Sequence, residues 1–121
     1  MSVKHADDLE RIPVSAGTAT ERQVLIGPDE GPNFALRRFI MQPGGGMPNH
    51  KNSVEHEQYV LRGRATIGIG DEEREVAVGD VVFIAAGTPH WYRAHEGEPF
   101  EFLCIVPNSE DRIEVLGDAG C

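Results

Sequence analysis

Cysteine is scarce in this chain of 121 residues, with Cys104 and Cys121 alone and no CxxC pair. That excludes a disulfide framework and a paired-cysteine metal knuckle. Basic residues are few as well: 11 Lys and Arg stand against 20 Asp and Glu, for a formal charge of -9 and no basic cluster. Such a chain repels phosphate backbones and anionic lipid, so neither nucleic acid nor a membrane surface is an expected partner. No apolar run reaches the ~18 residues that would span a bilayer, and the opening MSVKHADDLE lacks the apolar stretch of a signal peptide. A cytoplasmic location is expected. Helical periodicity is missing too, apart from a short turn expected around residues 110–116. The glycines at 44–46 are followed by neither Lys-Ser/Thr nor a helix pattern, which removes a phosphate loop. No Ser-His-Asp or Cys-His spacing marks a nucleophile.

What is present reads as strands. The length suits one domain able to bury a core unaided. Residues 1–20 are polar and lack a sustained period, so they are expected as an N-terminal arm with at most one short strand, ahead of a body over residues 21–121. FALRRFIM then meets PGGG, which predicts a strand ending in a turn. HEQYVLRGRATIGIG and REVAVGDVVFIAAG are rich in Val, Ile, Tyr and Phe, with Ala65, Ile67 and Ile69 alternating against Thr66 and Gly68, and Val76 and Val78 against Glu75. Gly70 and the acidic residues after it predict a hairpin, and the run from Glu96 to Pro99 predicts another turn. Short strands punctuated by Gly and Pro make an all-β antiparallel sandwich or barrel.

The residues that carry chemistry are His50, Asn52, His56 and His90. Residues two apart in a strand share a face, so His50 and Asn52 can point one way, and His56 can return to that interior after the corner between them. His90 comes from another strand. Neutral imidazoles suit Mn, Fe, Ni, Cu or Zn, an amide oxygen is a weak extra ligand, and open positions would admit water or substrate. His5 in the arm and His95 beside a turn are expected to be solvated. Glu55 and Glu57 lie opposite His56 by parity and are disfavoured as replacements.

The stretch PGGGMPNHKNSVEHEQYVLRG, followed after RATIGIGDEEREVAV by GDVVFIAAGTPHWYRA, resembles the two-motif signature of the cupin superfamily. Motif 1 covers about residues 43–63 and motif 2 about 79–94, with Gly44, His50, His56, Gly63, Gly79, Asp80, Gly87, Pro89 and His90 in register. More narrowly, the chain is similar to small single-domain bacterial cupins of the cupin 2 conserved-barrel type, which bind a divalent metal through four histidines. The resemblance implies a double-stranded β-helix, or jelly-roll barrel, and a homodimer that covers edge strands. It places the metal ligands on His50, Asn52, His56 and His90, and departs from the pattern where Asn52 replaces a histidine, Ala85 a proline and Ala94 an asparagine.

With His56 inward, Gln58 and Val60 share its face, and from His90 the inward set continues to Tyr92 and Ala94. Gln58, Tyr92, Phe102 and Cys104 are therefore candidate pocket residues, Cys104 reading first as core and Cys121 as an exposed tail thiol. At most one of Arg37 and Arg38 can point inward, where it would clamp a carboxylate, and for either one taken singly a surface or interface salt bridge is the favoured reading. Trp91 reads as packing. The resemblance implies a metal-dependent enzyme on a small organic molecule, with dioxygenase-like oxidation favoured. Isomerisation or decarboxylation of a small acid or sugar derivative, and a non-catalytic ligand-binding barrel, are the alternatives, since fold does not fix reaction.

Overall fold

Alternation of apolar and polar side chains over short runs yields ten strands among residues 1–117, which the computed structural model of the protein describes. They are β1 (Ile12–Pro13), β2 (Thr18–Ile26), β3 (Phe34–Asn52), β4 (His56–Arg62), β5 (Arg64–Ile69), β6 (Glu72–Ala77), β7 (Val81–Ile84), β8 (His90–Ala94), β9 (Phe100–Pro107) and β10 (Ile113–Gly117). Every pairing is antiparallel. The path β6-β5-β8-β3-β9-β4-β7 curls on itself, with β2 and β10 also on β3 and β1 on β2. This is the all-β jelly-roll barrel that the sequence predicts. Among the described residues no helix is long and apolar enough to cross a membrane, and the only helical piece is the 3-10 turn Ala6–Asp8.

Strand β3 differs from expectation. The PGGG run does not end it in a turn; the strand continues for 19 residues through those glycines. Its first half pairs with β9 from Phe34↔Pro107 to Met41↔Phe100, and its second half pairs with β8 and β10. At the changeover the ladder with β2 skips residues, Thr18 lying opposite Gly46 and Thr20 opposite Met41, and Gly44 takes a φ of +78°. The glycines therefore bend the strand where a larger residue would block it: a Cβ on Gly46 would sit 2.0 Å from the Tyr92 carbonyl oxygen. One strand thus lends residues to both walls of the barrel.

The Gly70 hairpin forms as expected, joining Ile69 to Glu72 across two residues with φ of +58° at Gly70. Residues 110–116, expected as a turn, instead lead into β10, which pairs with β3 from Ile113↔Asn52. The outer positions Thr66 and Gly68 are covered as well as Ala65 and Ile67, because Glu75 and His95 close over Thr66 and the Trp91 indole lies on Gly68. Val78 falls past the end of β6 and is exposed.

The core is aromatic where the walls meet. Phe102 stacks on Phe39 at 5.1 Å and on Tyr92 at 5.4 Å, centroid to centroid, and touches Phe100 at 5.3 Å. Arg38 faces outward, where it pairs with the buried Glu101 and donates to Gln23. Gln23 in turn donates to the carbonyls of Ala6 and Leu9, pinning the N-terminal turn over this side.

Candidate functional site

Directly paired residues share a face, so the ladders define rows across the barrel interior. Arg37, Cys104 and Gln58 are neighbours in one row across β3, β9 and β4, and Phe39, Phe102 and Val60 form the next. His50 and His90 oppose each other across β3 and β8. The rows face a narrow cavity of about 60 Å³, counted as space open to the centre of a water molecule. His50, Asn52, His56 and His90 line it together with Gln58, Tyr92 and Phe102. Glu55 and Glu57 do not, and neither do His5, which is exposed in the arm, or His95, which holds Glu75 on the outer face at 2.6 Å. A roomier groove of about 330 Å³ at Ala16, Thr18 and residues 44–48 lacks any such grouping of imidazoles.

The imidazoles are prepared to act as bases or ligands. Nδ1 of His50 lies 2.7 Å from the Pro48 carbonyl and Nδ1 of His90 lies 2.9 Å from that of Thr88. A carbonyl only accepts, so Nδ1 carries the proton in both rings and Nε2 keeps its lone pair when the ring is neutral. Burial keeps them neutral. It lowers His50, and it pulls His56 and His90 down to about 4, with the charge of Arg37 adding to the effect on His56 and that of His50 to the effect on His90. His56 places Nδ1 3.2 Å from Cys104 Sγ and leaves Nε2 buried without a partner. Asn52 donates its amide to Asp111 at 3.1 Å and leaves Oδ1 buried without a partner. A buried polar atom without a partner costs about 1–3 kcal/mol, so two beside the same cavity suit a ligand that would satisfy both.

The donor chemistry therefore fits a divalent transition metal. The spacing is not closed: among the described residues no three His, Cys, Asp or Glu side chains are grouped tightly enough to hold an ion as they stand. Ring centroids of His50 and His90 are 4.1 Å apart and those of His56 and His90 are 5.9 Å apart. Two imidazoles on one ion, with metal–nitrogen bonds of about 2.1 Å, place their centres roughly 4.5–5.5 Å apart. The two separations bracket that span, so closure asks for small opposite shifts of His50 and His56.

Tyr92 and Cys104 keep their protons at neutral pH. Burial pushes the Tyr92 hydroxyl well above its ordinary value, and its oxygen accepts from Gln58 Nε2 at 2.7 Å, so Tyr92 remains a donor. Cys104 is fully buried behind the lining, and burial raises its thiol although Arg37 opposes that. Cys121 lies outside the described residues. Two polar lining residues were not anticipated. Asp111 sits in the loop before β10, where no periodicity marks it. Arg22 of β2 joins Arg37 at the cavity, which settles Arg37 as the inward arginine of its pair with Arg38.

Comparison with known proteins agrees with this architecture. Over 98 residues the chain is 32% identical to 1-methylthio-D-xylulose 5-phosphate methylsulfurylase of Rhodospirillum rubrum, a match covering 81% of this chain and 62% of that protein. It is 26% identical over 110 residues to acireductone dioxygenase 1 of Pectobacterium atrosepticum, covering 88% of this chain and 60% of that protein. The chain thus spans about six tenths of each of these two relatives. The polyketide cyclase RemF of Streptomyces resistomycificus superposes with a TM-score of 0.86 at 31% identity, over 97% of this chain and 87% of that one. The Cupin_2 family, described as a cupin domain, matches residues 37–106, a span that runs from the inward arginine of β3 through all three imidazole positions to β9, and the chain belongs to that family.

Proposed function

We propose that the cavity is the active site of a metal-dependent enzyme acting on a small organic molecule. His50, His56 and His90 would hold the ion through Nε2, with Asn52 Oδ1 as a weak fourth donor. The carrying observation is the pair of buried polar atoms without partners, His56 Nε2 and Asn52 Oδ1, in a cavity where His50 and His90 already keep their Nε2 atoms free. A bound Mn, Fe, Ni, Cu or Zn supplies Lewis-acid or redox chemistry. The chain's own contribution is orientation. Tyr92, fixed by Gln58, offers its hydroxyl hydrogen to a substrate oxygen, and Phe39 and Phe102 hold the apolar part against a dry floor. Relatives named for methylthio transfer, dioxygenation and cyclisation show that this scaffold does not dictate one reaction. Dioxygenase-like oxidation is the favoured chemistry, ahead of isomerisation or decarboxylation.

A second reading is a barrel that binds a small ligand without catalysis. It is favoured by Asn52, whose amide is committed to Asp111. Elemental analysis of the full chain beside a His56→Ala variant separates the two. About one Fe, Mn, Cu or Ni per chain, lost in the variant, supports the enzyme, and Zn directs attention to Lewis-acid chemistry. Absence of metal after loading selects the binding barrel. The purified protein is expected to be cytoplasmic in origin and a homodimer.

A further inference from the structure

Cations in this acidic chain are mostly matched. Lys4, Arg11, Arg38, Lys51, Arg62 and Arg74 each pair with a carboxylate. Arg64, Arg93 and Arg112 lack such a partner but are exposed, whereas Arg22 and Arg37 are partly buried and no Asp or Glu among the described residues lies within ion-pair distance of either. The two are nevertheless brought together. Arg22 opposes Phe39 and Arg37 opposes Val24 on β2 and β3, so they are diagonal neighbours on one face, and both line the imidazole cavity. The Nε atom of each is buried without a partner. Burial, and then the charge of Arg37, make the Arg22 guanidinium easier to deprotonate than usual, as two unpaired cations side by side require. Like charges in that position are destabilising unless something neutralises them.

The same cavity also carries an acid. Asp111 stands beside Asn52 and the Ser53 amide, where its charge acts on His50 and His90. The cavity therefore sets two unpaired cations beside its imidazoles. A single small molecule can span both, because Cys104 Sγ lies 3.2 Å from His56 Nδ1 and 3.9 Å from Arg37 Nη2. Phe39 lies beneath the Arg37 guanidinium, 5.3 Å from ring centre to Cζ, and keeps it from swinging out to solvent.

We infer that Arg22 and Arg37 form an oxyanion subsite that seats the carboxylate or phosphate of a small anionic substrate and points its reactive portion toward His56. This rests on the reading of the same cavity as a small-molecule site, and it names the chemical class of the substrate. Guanidinium forks bind either oxyanion in bidentate fashion. The narrow volume favours a planar carboxylate.

The test is isothermal titration of chelator-treated full-length protein with malonate, with inorganic phosphate, and with malonamide as a neutral isostere. Malonate or phosphate is expected to bind and malonamide is not, the tighter oxyanion identifying the substrate group. Arg22→Gln and Arg37→Gln are each expected to weaken binding about tenfold or more, in keeping with the loss of a charged hydrogen bond. Arg37→Lys, which keeps the charge and loses the fork, should lose less. Should Arg37→Gln fail to fold by circular dichroism, Arg22→Gln carries the test. Binding of neither oxyanion, equal binding of malonamide, or affinity unchanged in folded glutamine variants would overturn the subsite. Because the protein is metal-free throughout, a chain that never holds metal would sink the metalloenzyme reading while leaving this result standing.

Discussion

Acid should unfold this protein sooner than its carboxylates alone would bring about, and His56 carries a measurable part of the difference. Its ring is 7% exposed, and burial with the neighbouring Arg37 charge pulls it from the ordinary 6.5 down to about 4. Between those two values the unfolded chain holds a proton that the folded chain refuses, so stability is complete above about pH 6.5 and drains as pH falls toward 4. A displacement of about 2.5 pH units corresponds to a ceiling of about 3 kcal/mol at 1.36 kcal/mol each, of which about 2 should be lost by about pH 4.5. Against a total of about 5–15 kcal/mol for a small domain, that is a large share. Urea denaturation of chelator-treated wild type and His56→Gln, at about pH 7, 6, 5 and 4.5, isolates the effect because the acidic residues are common to both chains. Wild type should lose about 2 kcal/mol more than the variant across the series. Parallel curves would mean that His56 is not desolvated in the fold, and the argument for a cavity that keeps its imidazoles neutral would fail with it.

Asn52→His should tighten metal binding by completing a four-imidazole set; a competition titration showing unchanged or weaker affinity would mean that residue 52 does not face the ion. Gly46→Ala places a methyl 2.0 Å from the Tyr92 carbonyl oxygen and should cost at least about 2 kcal/mol, read as a lower urea midpoint, with no loss expected if the β3 bend can slide. Phe83→Lys tests the homodimer. Phe83, Val81, Tyr59 and Ile105 are exposed on adjacent strands of one outer face, so the variant should sediment as a monomer while its stability changes by only about 0.5 kcal/mol. A monomeric wild type would dispose of that interface.

The inward rows were legible because strand parity is local. His56, Gln58 and Val60 are buried while Tyr59 and Leu61 are exposed, and His90, Tyr92 and Ala94 repeat the pattern. Gly70 and the acidic residues after it likewise marked their hairpin. What escaped is set by tertiary partners. The glycines at 44–46 favour a turn locally, yet the strand survives them because β2 and β8 supply ladder partners on both sides. Residues 111–116 are all exposed, and the brief Ile113-Glu114-Val115 alternation is too short to mark a strand, so β10 is set by its pairing with β3. Arg22 lies in the run TERQ, where alternation vanishes because the N-terminal turn buries Gln23 on the outside while the cavity takes Arg22 on the inside. The contact of His56 with Cys104 depends on a register that no spacing encodes.

The sharing of β3 between both walls bears on how the molecule assembles in time. Arg37 meets Cys104 across 67 residues of chain, His56 meets the same thiol across 48, and Gln58 meets Tyr92 across 34. Each contact closes a long loop, and topologies dominated by such contacts fold slowly, in milliseconds to seconds. His50 and His56, by contrast, are near neighbours in the unfolded chain. If the cavity holds a metal as proposed, an unfolded polypeptide would grip the ion with two imidazoles before β8 delivers the third, and that affinity would subtract from the stability the metal confers on the folded state. Metal acquisition after folding would avoid this competition.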